Sequence, residues 1–555
     1  MPAFLRSRDS AGGPAELVLA PEPTVPKKER DEASATRAGR TKIGSTGLIL
    51  AYGLFNTLIF HGPLLAFAFA NLDLTARSAI WIVLTLLVVV TGITVLLLSL
   101  LALLMPRLLK PVIYLLTMGN ALALYFMVSY GVVLDRSMMG NLFNTDLAEA
   151  SALLHPSLLL ALLGLGLIPC WIVARLELRP SSLVRRLALP LATAAVALGW
   201  LAGSGSTWLW IDQHARQLGG KVLPWSYLVN GARHLAAMAA PSHRAMLPQV
   251  RPDPAAGQGR RVVVLVIGES ARRQNHALYG YGRATTPEMN RAGVTVLQAR
   301  ACATYTTAAL ECLLAFESPG SRPAWEPLTS YLQRNGVDVT WRSHNGGEPP
   351  MAVSHKERLE HIAPGCKDDQ CTHDEGLLRG LEARIAGSPS QRQLIVLHLA
   401  GSHGPAYHTR YPQRFEVFQP VCKSVQLDRC TREELVNAYD NSIRYADFVV
   451  GSTIAMLRRL DLQSSLIYVS DHGESLGESG LYLHGTPWAI APDVQKDIPF
   501  VLWQSHGPRS HGAPPRYIDG QFSQMHVAHS VMGALGLRSA VADPAQDVFR
   551  LEGAR

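Results

Sequence analysis

Charge is what this sequence has least of. Asp, Glu, Lys and Arg make up 17% of its 555 residues, against about 25% in ordinary soluble domains. With 48% hydrophobic residues, a disordered or fibrous chain is excluded, and a wholly soluble enzyme fits poorly. The shortage is local. Five stretches, 43–72, 78–106, 111–134, 156–174 and 187–211, contain no Asp, Glu, Lys or Arg. Each offers about the ~20 residues that a helix needs to cross a bilayer. With no ionisable carboxylate, Lys or Arg inside them, a transporter is a poor reading. A cleavable signal peptide is also missing, because the first 40 residues are polar and rich in Pro and Ala. Residues 1–42 read instead as a disordered cytoplasmic tail. Cysteine is scarce, with seven in all, and no C-x2-C or paired His-Cys spacing occurs, which weakens a cysteine metal cluster. Internal repeats are absent, so no solenoid is expected.

The charges that are present sort by side. Lys27, Lys28, Arg30, Arg37, Arg40 and Lys42 precede the first apolar stretch. Arg107 and Lys110 follow the second, and Arg175, Arg179, Arg185 and Arg186 follow the fourth. The other two connections hold Asp73 with Arg77, and Asp135, Arg136, Asp146 and Glu149. Positively charged loops stay in the cytoplasm. Five crossings of segment 43–211 therefore put everything after residue 211 on the far side. The formal net charge of +8 also admits nucleic acid, but many arginines flank apolar runs, so a membrane-surface bias is the cheaper reading and no nucleic-acid partner is expected. Six cysteines fall beyond the membrane segment as close pairs, 302/312, 366/371 and 422/430. Three disulfides in an oxidising compartment suit that pattern, with metal binding the weaker competitor. The linker 212–258 contains LPWSYLVNGARHLAAMAA. Trp225 and Tyr227 fit a helix lying at the membrane interface and fit an ordinary packing helix equally well.

Residues 259–555 alternate strand-like with helix-like runs. Strand candidates are 260–268, 337–341, 394–399, 466–469 and 499–503; helical patterns cover 305–316, 326–335, 373–386, 431–460 and 525–536. This alternation predicts a mostly parallel sheet with helices on both faces, whose functional groups gather at the carboxyl ends of the strands. The first strand candidate runs into Glu269, the third into His403, and the fourth into Asp471 and His472, with His484 a Gly-rich turn later. Any one of these is more often a cap or surface group. Together, carboxylates and imidazoles at one sheet edge suit Zn2+ or a similar divalent ion. The segment Cys302-Ala-Thr-Tyr-Thr-Thr-Ala-Ala-Leu-Glu-Cys312 places threonines at a helix start. Such a threonine is usually only an N-cap, but beside a cation its hydroxyl becomes a candidate nucleophile.

These residues resemble a known family. GES (268–270), the Cys-bracketed Thr segment, GSHGP (401–405), YDN (439–441) and SDHGESLGESGLYLHG (470–485) are similar to the phosphoethanolamine transferases, which include lipid A-modifying and mobile colistin-resistance enzymes. The resemblance spans roughly 45–550. It implies a five-span α-helical transmembrane domain followed by an α/β catalytic domain of the sulfatase/alkaline-phosphatase kind. It implies Thr306 as the nucleophile and Glu269, Asp471 and His472 as Zn2+ ligands together with the Thr306 oxygen. His403 and His484 match positions for a second Zn2+ or the substrate phosphate, and the three cysteine pairs match the family's disulfides. Asn141, Thr145 and Glu149, spaced i, i+4 and i+8 on one helix face, match substrate-binding positions; a solvated face of a connecting helix is the bland alternative. No substrate lysine is assigned, since Lys356 is the nearest one after Trp341-Arg342.

The implied activity is transfer of phosphoethanolamine from phosphatidylethanolamine to a lipid A phosphate, through a phosphoethanolamine-threonine intermediate, with release of diacylglycerol and resistance to polymyxins. The implied setting is the bacterial inner membrane, with a monomer whose catalytic domain lies in the periplasm. Core heptose and periplasmic glucan are alternative acceptors. Phosphoglycerol transfer, as in lipoteichoic acid synthases, would share the spans and the threonine. A true sulfatase is disfavoured because no C/S-x-P-x-R maturation motif occurs, and a degenerate sensor would tend to lose part of the ligand set.

Overall fold

The structure, a computed structural model, describes residues 41–553 except 76, 146–149, 152, 180–181, 205–206, 240–243, 318–324, 363, 367, 461 and 506–512. The expected tail therefore lies outside the described residues but for its last two. Uninterrupted apolar sequence forms helices because every backbone polar group is then satisfied within the segment. Ser78–Leu104, Pro106–Tyr130, Pro156–Arg175 and Leu183–Gly203 are each long and apolar enough to cross a membrane. Ser45–Phe60 and Gly62–Asn71 make a fifth, broken unit bent by 56°. The break at His61 precedes Pro63, which lacks an N–H and cannot continue a helical ladder. The last expected stretch is shorter than its apolar limits: its helix stops at Gly203, and Trp208–Gln213 is a separate short helix. Gly166 lets the Pro156–Arg175 helix approach the third span, because a Cβ there would lie 2.7 Å from Met118 Sδ.

The linker helix Trp225–Ala239 packs against the spanning helices, one of the two roles its sequence allows. Tyr227 donates to Asn120 Oδ1 of the third span at 3.0 Å, and Asn120 in turn donates to Asn56 Oδ1 at 2.7 Å. Leu228, Val229 and Leu235 on the same helix are exposed.

Among the described residues, the C-terminal half has one eight-stranded sheet: β1 (Arg261–Gly268), β2 (Thr295–Arg300), β3 (Asp338–Ser343), β4 (His355–Arg358), β5 (Arg392–His398), β6 (Gln463–Ser470), β7 (Asp497–Gln504) and β8 (Arg516–Ser523). Their order is β8-β2-β7-β6-β1-β5-β3-β4. All five strands expected from sequence are present. β2, β4 and β8 were not anticipated. β4 and β8 are the two edges, and β2 and β8 interrupt their apolar residues with exposed polar ones, so their periodicity is weak. The pairing is mostly parallel, but β7 runs antiparallel to both β6 and β2. β1 sits at the centre. Its Val263, Leu265 and Ile267 enter one core, and Val262, Val264 and Val266 enter the other, all fully buried. That alternation makes β1 the fixed reference for whatever follows Gly268.

The two halves touch closely. Tyr130, at the end of the third span, donates to Val425 O at 3.1 Å. Gly131 (φ +71°) follows, and a Cβ there would lie 2.8 Å from Gly480 O. Only glycine allows both that conformation and that approach.

Candidate active site

Three strand ends and one helix start build the site. β1 ends at Gly268, in register with Ser470 of β6, so Glu269 and the Asp471-His472 pair emerge side by side. The loop after β5 carries His403 across Glu269. It can do so because Gly401 (φ +51°) has no side chain: a Cβ there would lie 2.8 Å from both Glu269 N and O. The fourth contributor is helix Thr306–Leu313. Tyr305 is its N-cap and no side chain caps it, so the Thr306 hydroxyl is not spent on the helix. It donates instead to Glu269 Oε2 at 3.3 Å and lies 3.4 Å from His472 Nε2. Cys302 and Cys312, which bracket this segment, are bonded, as are Cys366 with Cys371 and Cys422 with Cys430.

The ligand-type atoms of Glu269, Asp471 and His472 lie within 4.8 Å of one another, as do those of Glu269, His403 and His484 and those of His472, Glu474 and His484. Asp471 Oδ1 accepts from Ser270 N at 3.0 Å and His472 N at 2.7 Å. Its Oδ2 is buried and has no hydrogen-bond partner, although His472 Nε2 is 3.2 Å away. His472 Nδ1 faces the Gly473 carbonyl at 2.9 Å. Donation through Nδ1 leaves the Nε2 lone pair aimed at Glu269 and Asp471. Burial explains the electrostatics: it pushes the Asp471 carboxyl up to about 6 and Glu474 up to about 7, raises Glu269, and lowers His472 to about 4. Three buried carboxyl groups beside the imidazoles of His403, His472 and His484, one carboxyl oxygen unsatisfied, form a donor set that fits a divalent cation such as Zn2+.

Two neighbours of this cluster escaped sequence reading. Glu474 accepts from Tyr407 at 2.6 Å and contacts His484 Nδ1 at 2.8 Å. Its place three residues after Asp471 was a usable signal. Asn345 donates to Glu269 Oε2 at 2.6 Å. It sits in the loop after β3, and nothing in its spacing marks it.

A cavity of about 870 Å³ connects this cluster to the membrane half. Thr306, Asn345, His403 and His484 line one part of it, and Leu122 and Phe126 of the third span line another. Asn141 and Thr145 line it as well, but not as one helix face. Helix Arg136–Asn144 ends there, and Thr145 is its extended C-cap, with Oγ1 donating to Asn141 O at 2.9 Å. Glu149 lies outside the described residues. Lys356 pairs with the half-buried Glu348 at 2.8 Å.

A layered sheet that delivers acidic and imidazole ligands from its strand ends to a helix-start hydroxyl, tethered to apolar spanning helices, defines a membrane-embedded enzyme of the sulfatase type. The Sulfatase family model matches residues 261–537, and the model for Phosphoethanolamine transferase EptA/EptB matches residues 90–238. The phosphoethanolamine transferase EptA of Helicobacter pylori is 36% identical over 493 residues, covering 87% of this chain and 92% of that one. The phosphatidylethanolamine transferase Mcr-1 of Escherichia coli is 31% identical over 425 residues, covering 71% and 78%. The solved integral membrane lipooligosaccharide phosphoethanolamine transferase A of Neisseria meningitidis superposes with a TM-score of 0.83 at 27% identity, covering 92% of this chain and 98% of that one. The chain belongs to the phosphoethanolamine transferase family.

Proposed function

We propose that the protein moves phosphoethanolamine from phosphatidylethanolamine to a lipid A phosphate, using Thr306 as the covalent carrier. The observation that carries this reading is the single cavity reaching from Leu122 and Phe126 of a spanning helix to the Thr306 hydroxyl. A donor whose acyl chains stay in the bilayer can thereby present its headgroup to the strand ends. Asn141 and Thr145, with Glu149 beside them in sequence, are the groups proposed to hold the ethanolamine end.

Glu269, Asp471 and His472 would hold a Zn2+ ion beside Thr306, and His403 and His484 a second ion or the substrate phosphate; such an ion supplies Lewis-acid polarisation of the phosphate and favours the ionised hydroxyl. In the first step, Thr306 Oγ1 passes its proton towards Glu269 Oε2 and forms a bond to phosphorus. The bond from phosphorus to the glycerol oxygen breaks, and Glu269 passes the same proton on to the departing diacylglycerol oxygen. In the second step, an oxygen of the acceptor phosphate attacks the same phosphorus. The bond to Thr306 Oγ1 breaks, and its hydroxyl is restored by the proton that the attacking acceptor phosphate gives up. The product gains an ammonium group, which weakens the attraction of cationic polymyxins by simple Coulomb reasoning.

The setting proposed is the bacterial inner membrane, with a monomer whose sheet domain faces the periplasm. Mass spectrometry of lipid A from cells expressing the protein tests the reading. Phosphoethanolamine-bearing lipid A is expected with the native chain, together with raised polymyxin tolerance. Unmodified lipid A, or a cytoplasmic position for a C-terminal reporter, would overturn it.

A further inference from the structure

The cavity wall changes character along its length. Towards the membrane it is apolar. On the sheet-domain side it carries Arg410 and Arg358, with the acidic Glu360. Arg410 donates through Nε to His403 O at 2.7 Å, and its Nη2 lies 3.4 Å from His403 Nδ1. His403 belongs to the cluster around Glu269, so Arg410 stands directly beside the reacting centre. Arg358 closes β4, in register with Ser343 of β3. β4 is three strands from β1, which separates the two strands by about 14 Å at the usual strand spacing of ~4.8 Å. The Arg358 Nε contacts Glu360 at 3.1 Å, and Glu360 is 61% exposed, on the solvent side of the pair.

An acceptor phosphomonoester is more negative than the donor's phosphodiester, and it must approach a phosphorus already surrounded by carboxylates. Repulsion between like charges opposes that approach in a partly buried cleft. Guanidinium groups stay charged at every relevant pH, and their fork geometry matches phosphate oxygens in pairs. We infer that Arg410 and Arg358 form the acceptor subsite: Arg410 takes the attacking phosphomonoester, and Arg358 takes a second anionic group of the same glycolipid. This rests on the two-step transfer proposed above and adds how the second substrate is chosen. It makes the subsite selective for acceptors that carry two separated anionic groups.

The test uses the full chain in vesicles holding phosphatidylethanolamine and lipid A, comparing the native protein with Arg358→Ala, Arg410→Ala and Arg410→Lys. The KM for lipid A is expected to rise about tenfold in each Ala variant, while the KM for phosphatidylethanolamine stays within twofold. Arg410→Lys should recover part of the loss, because it restores the point charge without the fork. Lipid A lacking one phosphate should be a poorer acceptor for the native protein and should not be weakened further by Arg358→Ala. An unchanged KM for lipid A in both Ala variants, or equal rises for both lipids, would overturn the subsite. Failure of the underlying reading looks different: the native protein would then form no phosphoethanolamine adduct on Thr306 by peptide mass spectrometry.

Discussion

Thr306 Oγ1 and Glu269 Oε2 stand 3.3 Å apart, although one comes from the first turn of a helix and the other from the end of the central strand. Thr306 has no capping duty, and Glu269 also accepts from Ser270 at 2.8 Å and Asn345 at 2.6 Å and lies 3.4 Å from His472 Nε2. The hydroxyl is therefore held against the carboxylate by the fold rather than by local sequence.

Thr306→Ala should lower transfer by more than about 10³-fold, as loss of a covalent nucleophile does. Stability should change by less than about 1 kcal/mol, because the side chain neither caps the helix nor fills the core. Lipid A mass spectrometry and thermal melts of the same preparation check both expectations. Thr306→Ser should keep measurable activity.

Asp471→Asn should abolish transfer and reduce the bound divalent metal measured by elemental analysis, since the unpartnered Oδ2 is the oxygen best placed to ligate. Removing metal with a chelator should lower both activity and melting temperature, and restoring Zn2+ should recover them. Full turnover by a rigorously metal-free preparation would sink the cation assignment.

Asn345→Ala removes a 2.6 Å hydrogen bond to Glu269 without removing any candidate ligand. A loss of about 10–100-fold in metal affinity or activity is expected, the usual cost of losing a group that orients a ligand. Metal titration of activity should show the shift to higher concentration.

Gly401→Ala puts a methyl group 2.8 Å from the Glu269 backbone and forces φ +51° on a residue with a Cβ. It should destabilise the protein by at least ~1–2 kcal/mol and should displace Glu269 and His403 together. Alanine at Gly280, where a Cβ meets nothing within 4 Å, serves as the control that keeps activity, since it shares the left-handed backbone without the contact.

Asp447 reports on stability away from the site. Burial pushes its carboxyl up to about 7, although it accepts from Glu288 N at 2.8 Å and Met289 N at 2.9 Å. The folded state therefore holds this proton more tightly than the unfolded state, whose carboxyl keeps the ordinary value near 3.8. The contribution is fully present below about 4 and is lost as pH rises towards 7. Melting temperature should fall over that window, and Asp447→Asn should flatten the fall at the cost of about 1 kcal/mol for a weakened acceptor.

Much was legible in the chain itself. Charge-free runs of bilayer length made the membrane half visible, because no water is available there to hydrate a stray charge. The β-branched run before Gly268 marked the central strand, and Glu269, Asp471 and His472 stood out because they follow strand candidates. Other features depended on contacts between distant residues. Sequence periodicity cannot give the reversed direction of β7, since an apolar strand looks the same read either way. The break at His61 and the end of helix Arg136–Asn144 before Thr145 set aside a simpler helical reading. Asn345, Arg358 and Arg410 carry no local signature; they become meaningful only once β3, β4 and β5 lie side by side. Composition and patterning determined which segments enter the bilayer, which form the sheet and which side chains are chemically able to act. Packing alone decided which of those side chains meet, because a separation of 37 residues between Glu269 and Thr306 closes to 3.3 Å only through the strand, loop and helix that lie between them.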